Sequence, residues 1–241
     1  MKRRLDYNFE YNLNKKRRTP RKKPYEPKPA EEPDNESDLD DLSDYDDDFL
    51  TMNRNEVTIK ENRIYFKAKV CDQSVDKLIQ ILDEKNKKFG DIVHDQKLIK
   101  SATPNPIYLH ITSFGGSLLS CFRAIDAIRR SKIPIHTVID GHAASAGTLM
   151  SVVGKKRYMT PHSYVLIHQL SSGGGGTYWQ IKDDFKNCKK MMDDIYNIYT
   201  THTKMSKEEL VKQLKHDLWW KADICIEKGL VDEIYDENCA L

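Results

Sequence analysis

The sequence predicts an α/β protein with a mainly parallel sheet, preceded by a charged tail that does not fold. Three observations predict this. From residue 107 onward, short apolar runs of strand length alternate with segments of helical periodicity, the pattern of strand–helix crossovers. The breaks between them are glycine pairs and turns of small residues. The first 54 residues, by contrast, hold few apolar side chains, so burial there cannot offset the entropy of ordering the chain.

The tail is split by charge. Residues 1–48 hold 11 Lys/Arg and 14 Asp/Glu, net −3, which leaves +5 for residues 49–241 and makes the overall +2 an average of unlike parts. Basic clusters at 15–18 and 21–23 precede an acidic run at 31–48, with Pro20, Pro24, Pro27 and Pro29 between them. Such a segment reads as a solvated tail whose halves attract one another. It also reads as an import signal, a docking arm or a nucleic-acid contact. No folded aromatic platform accompanies the basic block, so specific nucleic-acid readout is not expected. The expected division is therefore a tail over 1–54 and a single domain over 55–241.

Within the domain, Val57 to Ile59 and Ile64 to Phe66 read as strands. Val75, Leu78, Ile79 and Leu82 share one face of a helix. Residues 84–105 are polar and Lys-rich, and read as a long surface loop or insertion. Ile107, Leu109 and Ile111 alternate as a strand that Gly115-Gly116 ends. Leu118, Cys121, Phe122, Ile125 and Ile128 follow at helical spacing. A strand over 133–139 runs into a small-residue turn, Gly141 to Gly147, from which a helix leaves at 148–153. Short strands at 158–159 and 164–167, a glycine run at 173–176, a long helix from Tyr178 to about Thr200 and a helix begun by Ser206 complete the pattern.

Composition excludes several classes. With 39% hydrophobic and 32% charged residues and a mean hydropathy of −0.69, no apolar run approaches the length of a membrane helix. The N-terminal residues lack the apolar core of a secretory signal. Five widely spaced cysteines, with no C-x-x-C, read as reduced thiols of an intracellular protein, in the cytoplasm, an organelle or a virus-infected host, rather than a zinc site. No G-x-x-x-x-G-K-[ST] occurs, so no P-loop nucleotide site is expected. No metal or cofactor is called for.

The chemistry concentrates at Gly141-His142-Ala143-Ala144-Ser145-Ala146-Gly147. A strand enters this turn and a helix leaves it, and the small neighbours of Ser145 let another backbone come close to its hydroxyl. Free N–H groups at the start of a helix favour a developing oxyanion. A serine in such a place also reads as a plain helix cap. His168 closes the apolar strand Val165-Leu166-Ile167 at a loop edge, where a general base would be carried. Gly115-Gly116 can turn an N–H outward toward a ligand.

At these residues the chain resembles the proteolytic subunit of Clp protease. Ile107-Tyr108-Leu109-His110-Ile111-Thr112-Ser113-Phe114-Gly115-Gly116 is similar to the family element YINSPGG. The turn 141–147 is similar to GMAASMG, Ser163-Tyr164-Val165-Leu166-Ile167-His168-Gln169 to SRVMIHQP, and Gly229-Leu230-Val231-Asp232 to YGLVD. The four motifs occur in order across 57–237. The resemblance implies the Clp-protease/crotonase superfold, built of repeated β-β-α units with a protruding strand–helix handle over 171–200.

It also implies roles. Ser145 would be the nucleophile and His168 the base. Asp217 would be the third triad member, 49 residues after His168 and 12 before Gly229, a spacing that Asp223 does not meet. The backbone N–H groups of Gly116 and Ala146 would form the oxyanion hole. Gly173, Gly174, Gly175 and Gly176 would belong to a strand that receives substrate backbone. Tyr108, Tyr158 and Tyr235 would line a pocket that docks an ATPase. Polypeptide substrates, a homo-oligomer of seven-membered rings (one ring or a stacked pair) and a separate AAA+ unfoldase are the implied partners.

The chain departs from the family at several points. Lys215-His216 replaces an acidic-Arg pair before the aspartate, and His110, Arg130 and Thr160 stand where the family is apolar. Phe114 and Leu170 replace prolines. The resemblance leaves other readings beside an active serine endopeptidase. One is a non-catalytic ring subunit. Others are relatives on the same superfold, namely signal-peptide peptidases, capsid-maturation proteases and acyl-CoA hydratases. A protein whose main task is to bind nucleic acid through its tail is a further one.

Overall fold

A computed structural model describes residues 56–95 and 104–236. The expected tail over 1–54, and Cys239, lie outside the described residues. Eight strands and six helices are described. The strands are β1 (Glu56–Lys60), β2 (Arg63–Lys67), β3 (Ile107–Ser113), β4 (Ile135–Ala144), β5 (Lys156–Met159), β6 (Tyr164–Leu166), β7 (Trp219–Trp220) and β8 (Glu233–Ile234). The helices are α1 (Asp72–Asp95), α2 (Leu118–Arg130), α3 (Ala146–Val152), α4 (Tyr178–His202), α5 (Lys207–Gln213) and α6 (Ala222–Lys228).

The sheet runs in the order β1-β2-β3-β4-β5-β8. Only β1–β2 and β6–β7 are antiparallel; every other pairing is parallel. This is the mainly parallel α/β sheet that the alternation predicts. The strand β3 is buried on nearly its whole length, as a central parallel strand is when both faces are covered. One face packs Leu109 and Ile111 with Phe66, Ile139 and Met159 against helix residues such as Leu78, Leu82, Cys121 and Met150. The other carries a smaller cluster of Tyr108, Val138 and Tyr158, with Tyr235 packed on it.

β4 decides where the site lies. Its first half pairs with β5 through His136 to Ile139, and its second half with β6 through His142 to Ala144. The change of partner falls at Gly141, whose φ of +83° suits glycine and whose N–H donates to Ser163 Oγ at 2.8 Å. The sheet splits there, so the end of β4 comes beside the end of β6. The expected seven-residue turn is thus not a turn: Gly141 to Ala144 remain strand, and the reversal is confined to Ser145.

A second expectation is corrected at α1. The predicted helix over 75–82 extends to Asp95, so residues 84–95 are helical and not a loop; 96–103 lie outside the described residues. Lys and Glu favour a helix while hiding its apolar period. Phe89 still packs on the core, and Asn86 Oδ1 accepts from Lys132 N at 2.9 Å and Ser131 Oγ at 3.2 Å. Among the described residues, no helix is long and apolar enough to cross a membrane. Cys71, Cys121, Cys188 and Cys225 are free, and burial pushes the Cys225 thiol up to about 12.

The terminal Gly-Leu-Val-Asp segment is a structural clasp. Gly229 ends α6 at φ +72°, Leu230 and Val231 enter the core, and Asp232 pairs with Arg157 of β5. Arg157 also donates to the Gly229 carbonyl at 2.7 Å. Burial alone would raise the Asp232 carboxyl, but hydrogen bonds from the Arg157 side chain and backbone N–H outweigh it and hold it below its ordinary value. A carboxylate lowered on folding stabilises the fold at neutral pH, and that stability is lost as pH falls through its folded value. Asp232→Asn is therefore expected to lower Tm at pH 7. In melts repeated at falling pH, the gap to wild type should begin to narrow below about pH 4, the usual carboxylate range, and close once the pH is below the folded value. A gap that is constant with pH would contradict the assignment.

Candidate active site

Ser145 is held at φ 53° and ψ −123°, a region costing a non-glycine residue roughly 1–3 kcal/mol. Both of its peptide groups are tied. Its N–H donates to the Leu166 carbonyl at 2.9 Å. Its carbonyl accepts from Thr148 N at 3.0 Å and Thr148 Oγ1 at 2.6 Å. The side chain makes no capping hydrogen bond to α3, so its hydroxyl is not used as the helix cap that the sequence also allowed.

The segment between β3 and α2 presses against this residue. A Cβ on Gly115 would sit 2.8 Å from Ser145 Cβ and 2.8 Å from the Ala144 carbonyl oxygen; only glycine lets the two segments meet. Ser113 Oγ braces the turn, donating to the Ala68 carbonyl at 2.6 Å and accepting from Gly115 N at 3.1 Å. Gly116 forms a parallel bridge to Val70, in which Val70 N–H bonds Gly115 O and Ser117 N–H bonds Val70 O. In such a bridge the flanking residues supply the bonds, so the N–H of Gly116 itself faces away from Val70.

One cavity gathers these groups. It is lined by Gly116, Ser117, Leu118, Ser145, Ala146, Leu149, His168, Gln169, Leu170, Ser171, Ile195 and Tyr199. His168 comes from the segment just past β6, brought beside Ser145 by the β4–β6 pairing. That segment is anchored where Gln169 N donates to the Leu214 carbonyl at 2.8 Å. The same link brings in the loop after α5, and His168 Nδ1 lies 3.6 Å from Asp217 Oδ1. This is ion-pair range and longer than a hydrogen bond. Asp217 is 79% exposed against 26% for His168, so water screens the pair. Asp223 stands instead in the first turn of α6.

The remaining predicted residues fall elsewhere. Gly173 to Gly176 begin two residues after the cavity-lining Ser171, are exposed and carry no regular secondary structure, so the expected strand is not formed there. Tyr108, Tyr158 and Tyr235 do meet, on the sheet face carrying the smaller core cluster, with ring centroids 5.8–6.4 Å apart. His110 joins them, stacked on Tyr65 at 4.9 Å and edge-on to Tyr235 at 5.3 Å. Its Nδ1 is 3.7 Å from Asp140, whose carboxyl it holds below the ordinary range. The cavity walls from α4, Ile195 and Tyr199, were not legible in sequence. Helical periodicity marks them as apolar-face residues without saying what they face. Thr148 was missed as well, although its place three residues after Ser145 was a usable signal.

The first half of α4 leaves the core. Tyr178, Trp179, Ile181 and Phe185 are all more than half exposed, and only Ile195 and Tyr199 of the helix are buried.

The family model for Clp protease matches residues 59–238. The ATP-dependent Clp protease proteolytic subunit of Deinococcus radiodurans is 29% identical over 152 residues, 62% of this chain and 74% of that protein. Proteolytic subunit 2 of Treponema denticola is 32% identical over 161 residues, 65% of this chain and 80% of that protein. Proteolytic subunit 1 of Chlamydia trachomatis is 35% identical over 133 residues, 54% of this chain and 69% of that protein. The matched span takes in every described element from β2 to β8, and with it both walls of the cavity. On that span the chain belongs to the Clp protease family.

Proposed function

We propose that this chain is a serine endopeptidase subunit that cleaves unfolded polypeptides inside an oligomeric chamber. The observation that carries the reading is the strained Ser145, uncapped and sharing one cavity with His168, Gly116 and Ala146. His168 takes the hydroxyl proton as Ser145 Oγ attacks the peptide carbonyl carbon. The amides of Gly116 and Ala146 receive the oxyanion. His168 then gives the proton to the leaving amine, and water hydrolyses the acyl-enzyme by the same steps in reverse order of partners. Asp217 orients His168 from its Nδ1 side.

Leu118, Leu149, Leu170 and Ile195 support an apolar side chain next to the cleaved bond. The glycine run 173–176, free of side chains, suits addition of substrate backbone as a strand. The exposed apolar face of α4 suits a second copy of the chain, and the tyrosine cluster a loop of an ATPase. The relatives' names carry the ATP dependence; with no P-loop in this sequence, nucleotide hydrolysis falls to the partner. The test is labelling of purified full-length protein by a fluorophosphonate, with peptide mapping of the adduct. Modification at Ser145 together with cleavage of a leucine-containing fluorogenic peptide is expected. An oligomeric, folded sample that neither labels nor cleaves refutes the reading.

A further inference from the structure

Behind Ser145, two buried hydroxyls from different helices form a chain. Thr148 Oγ1 donates to the Ser145 carbonyl at 2.6 Å and lies 2.6 Å from the Tyr199 hydroxyl. The threonine has one proton and has given it to the carbonyl, so Tyr199 must be the donor to Thr148. Thr148 is 0% and Tyr199 1% exposed, and burial keeps the phenol protonated by pushing its pKa up. The order is fixed: Tyr199 O–H to Thr148 Oγ1, Thr148 O–H to Ser145 C=O.

That carbonyl is one end of the peptide unit whose other end is the Ala146 N–H. The peptide is planar, so fixing the carbonyl direction fixes the amide direction on the opposite side. Hydrogen bonds to a carbonyl also polarise its amide and strengthen it as a donor. Resting on the Ser145–His168 reading above, we propose that Thr148 and Tyr199 are positioning residues of the oxyanion hole, aiming the Ala146 amide from behind. Tyr199 belongs to α4 and Thr148 to α3, so the aim of the amide depends on how α4 seats against the nucleophile helix. Two hydroxyls that merely satisfied each other would affect stability and leave the chemical step alone.

The experiment uses the full chain with Tyr199→Phe, Thr148→Val and Thr148→Ser, each normalised by fluorophosphonate active-site titration, with Ser145→Ala as the reference for lost chemistry. Removing an oxyanion donor outright costs a hundredfold or more, so misaiming one should lower kcat on a fluorogenic peptide by about tenfold. KM should stay within about twofold, because the ground-state carbonyl does not yet need the hole. Affinity for a leucine-terminated peptide aldehyde, whose hemiacetal oxygen needs the same amide, should fall in parallel with kcat. Affinity for the cleaved product peptide should not change. Thr148→Ser should recover most of the loss, and Tyr199→Phe should add nothing to Thr148→Val, since it acts only through Thr148. If Thr148→Val fails to fold, Tyr199→Phe carries the test, because it removes one oxygen and no packing. Variants with wild-type kcat and aldehyde affinity, beside an inactive Ser145→Ala, overturn the relay alone. A wild type no more active than Ser145→Ala overturns the triad reading and the relay with it.

Discussion

Ser145→Ala is expected to abolish fluorophosphonate labelling and to lower kcat on small peptides by about a million-fold, the loss seen when a triad nucleophile is removed. His168→Ala should fall nearly as far, because the two act as one unit and their losses do not add. Asp217→Asn is expected to cost less than in a triad with a buried aspartate, where the loss is about ten-thousand-fold. The reason is geometric: Asp217 is 79% exposed and 3.6 Å from His168 Nδ1, so solvent already screens much of what the carboxylate contributes. Steady-state kinetics of the three variants against one substrate reads the order directly. An Asp217→Asn variant as dead as Ser145→Ala would mean that the pair closes and dries in the working assembly. A Ser145→Ala variant that still cleaves would remove Ser145 from the chemistry.

Gly116→Ala is expected to damage activity by a different route, and by less than the loss of Ser145. Gly116 sits at φ +146°, and a Cβ there would run into the Val70 carbonyl oxygen that Ser117 N–H uses. Backbone is not a flexible neighbour, so the turn itself must move. That movement takes away the Gly116 amide and loosens the contact of Gly115 with Ser145. Loss of one oxyanion donor costs about a hundred- to a thousandfold in kcat, and the broken bridge to Val70 should also lower Tm by several degrees. The fluorophosphonate distinguishes the two effects. A folded variant whose labelling and turnover fall together supports a misplaced amide. Unchanged labelling and turnover at a lowered Tm would show that Gly116 serves the fold alone.

Much of this protein is written in local pattern. The alternation of Ile107, Leu109 and Ile111, the spacing from Leu118 to Ile128 and the long run after Tyr178 each specify an element, because burial of one face imposes a period on the chain. The family motifs mark Ser145, His168 and Asp217 for the same kind of reason: residue types at fixed separations. Where local pattern is weak, the element is not legible. Residues 84–95 looked like a loop because Lys and Glu mask the few contacts of the end of α1, and Gly141 to Ala144 looked like a turn because small residues suit a strand that must pass close to others.

The sequence by itself determined the class of the fold, most of its longer elements and the residue types of the candidate site. It could not determine that β4 changes partners at Gly141, that Ser145 alone turns the chain at φ 53°, or that Tyr199, 54 residues further on, backs the nucleophile through Thr148. These depend on contacts between segments far apart in the chain. A period in sequence says that a face is buried, and only the packed structure says against what.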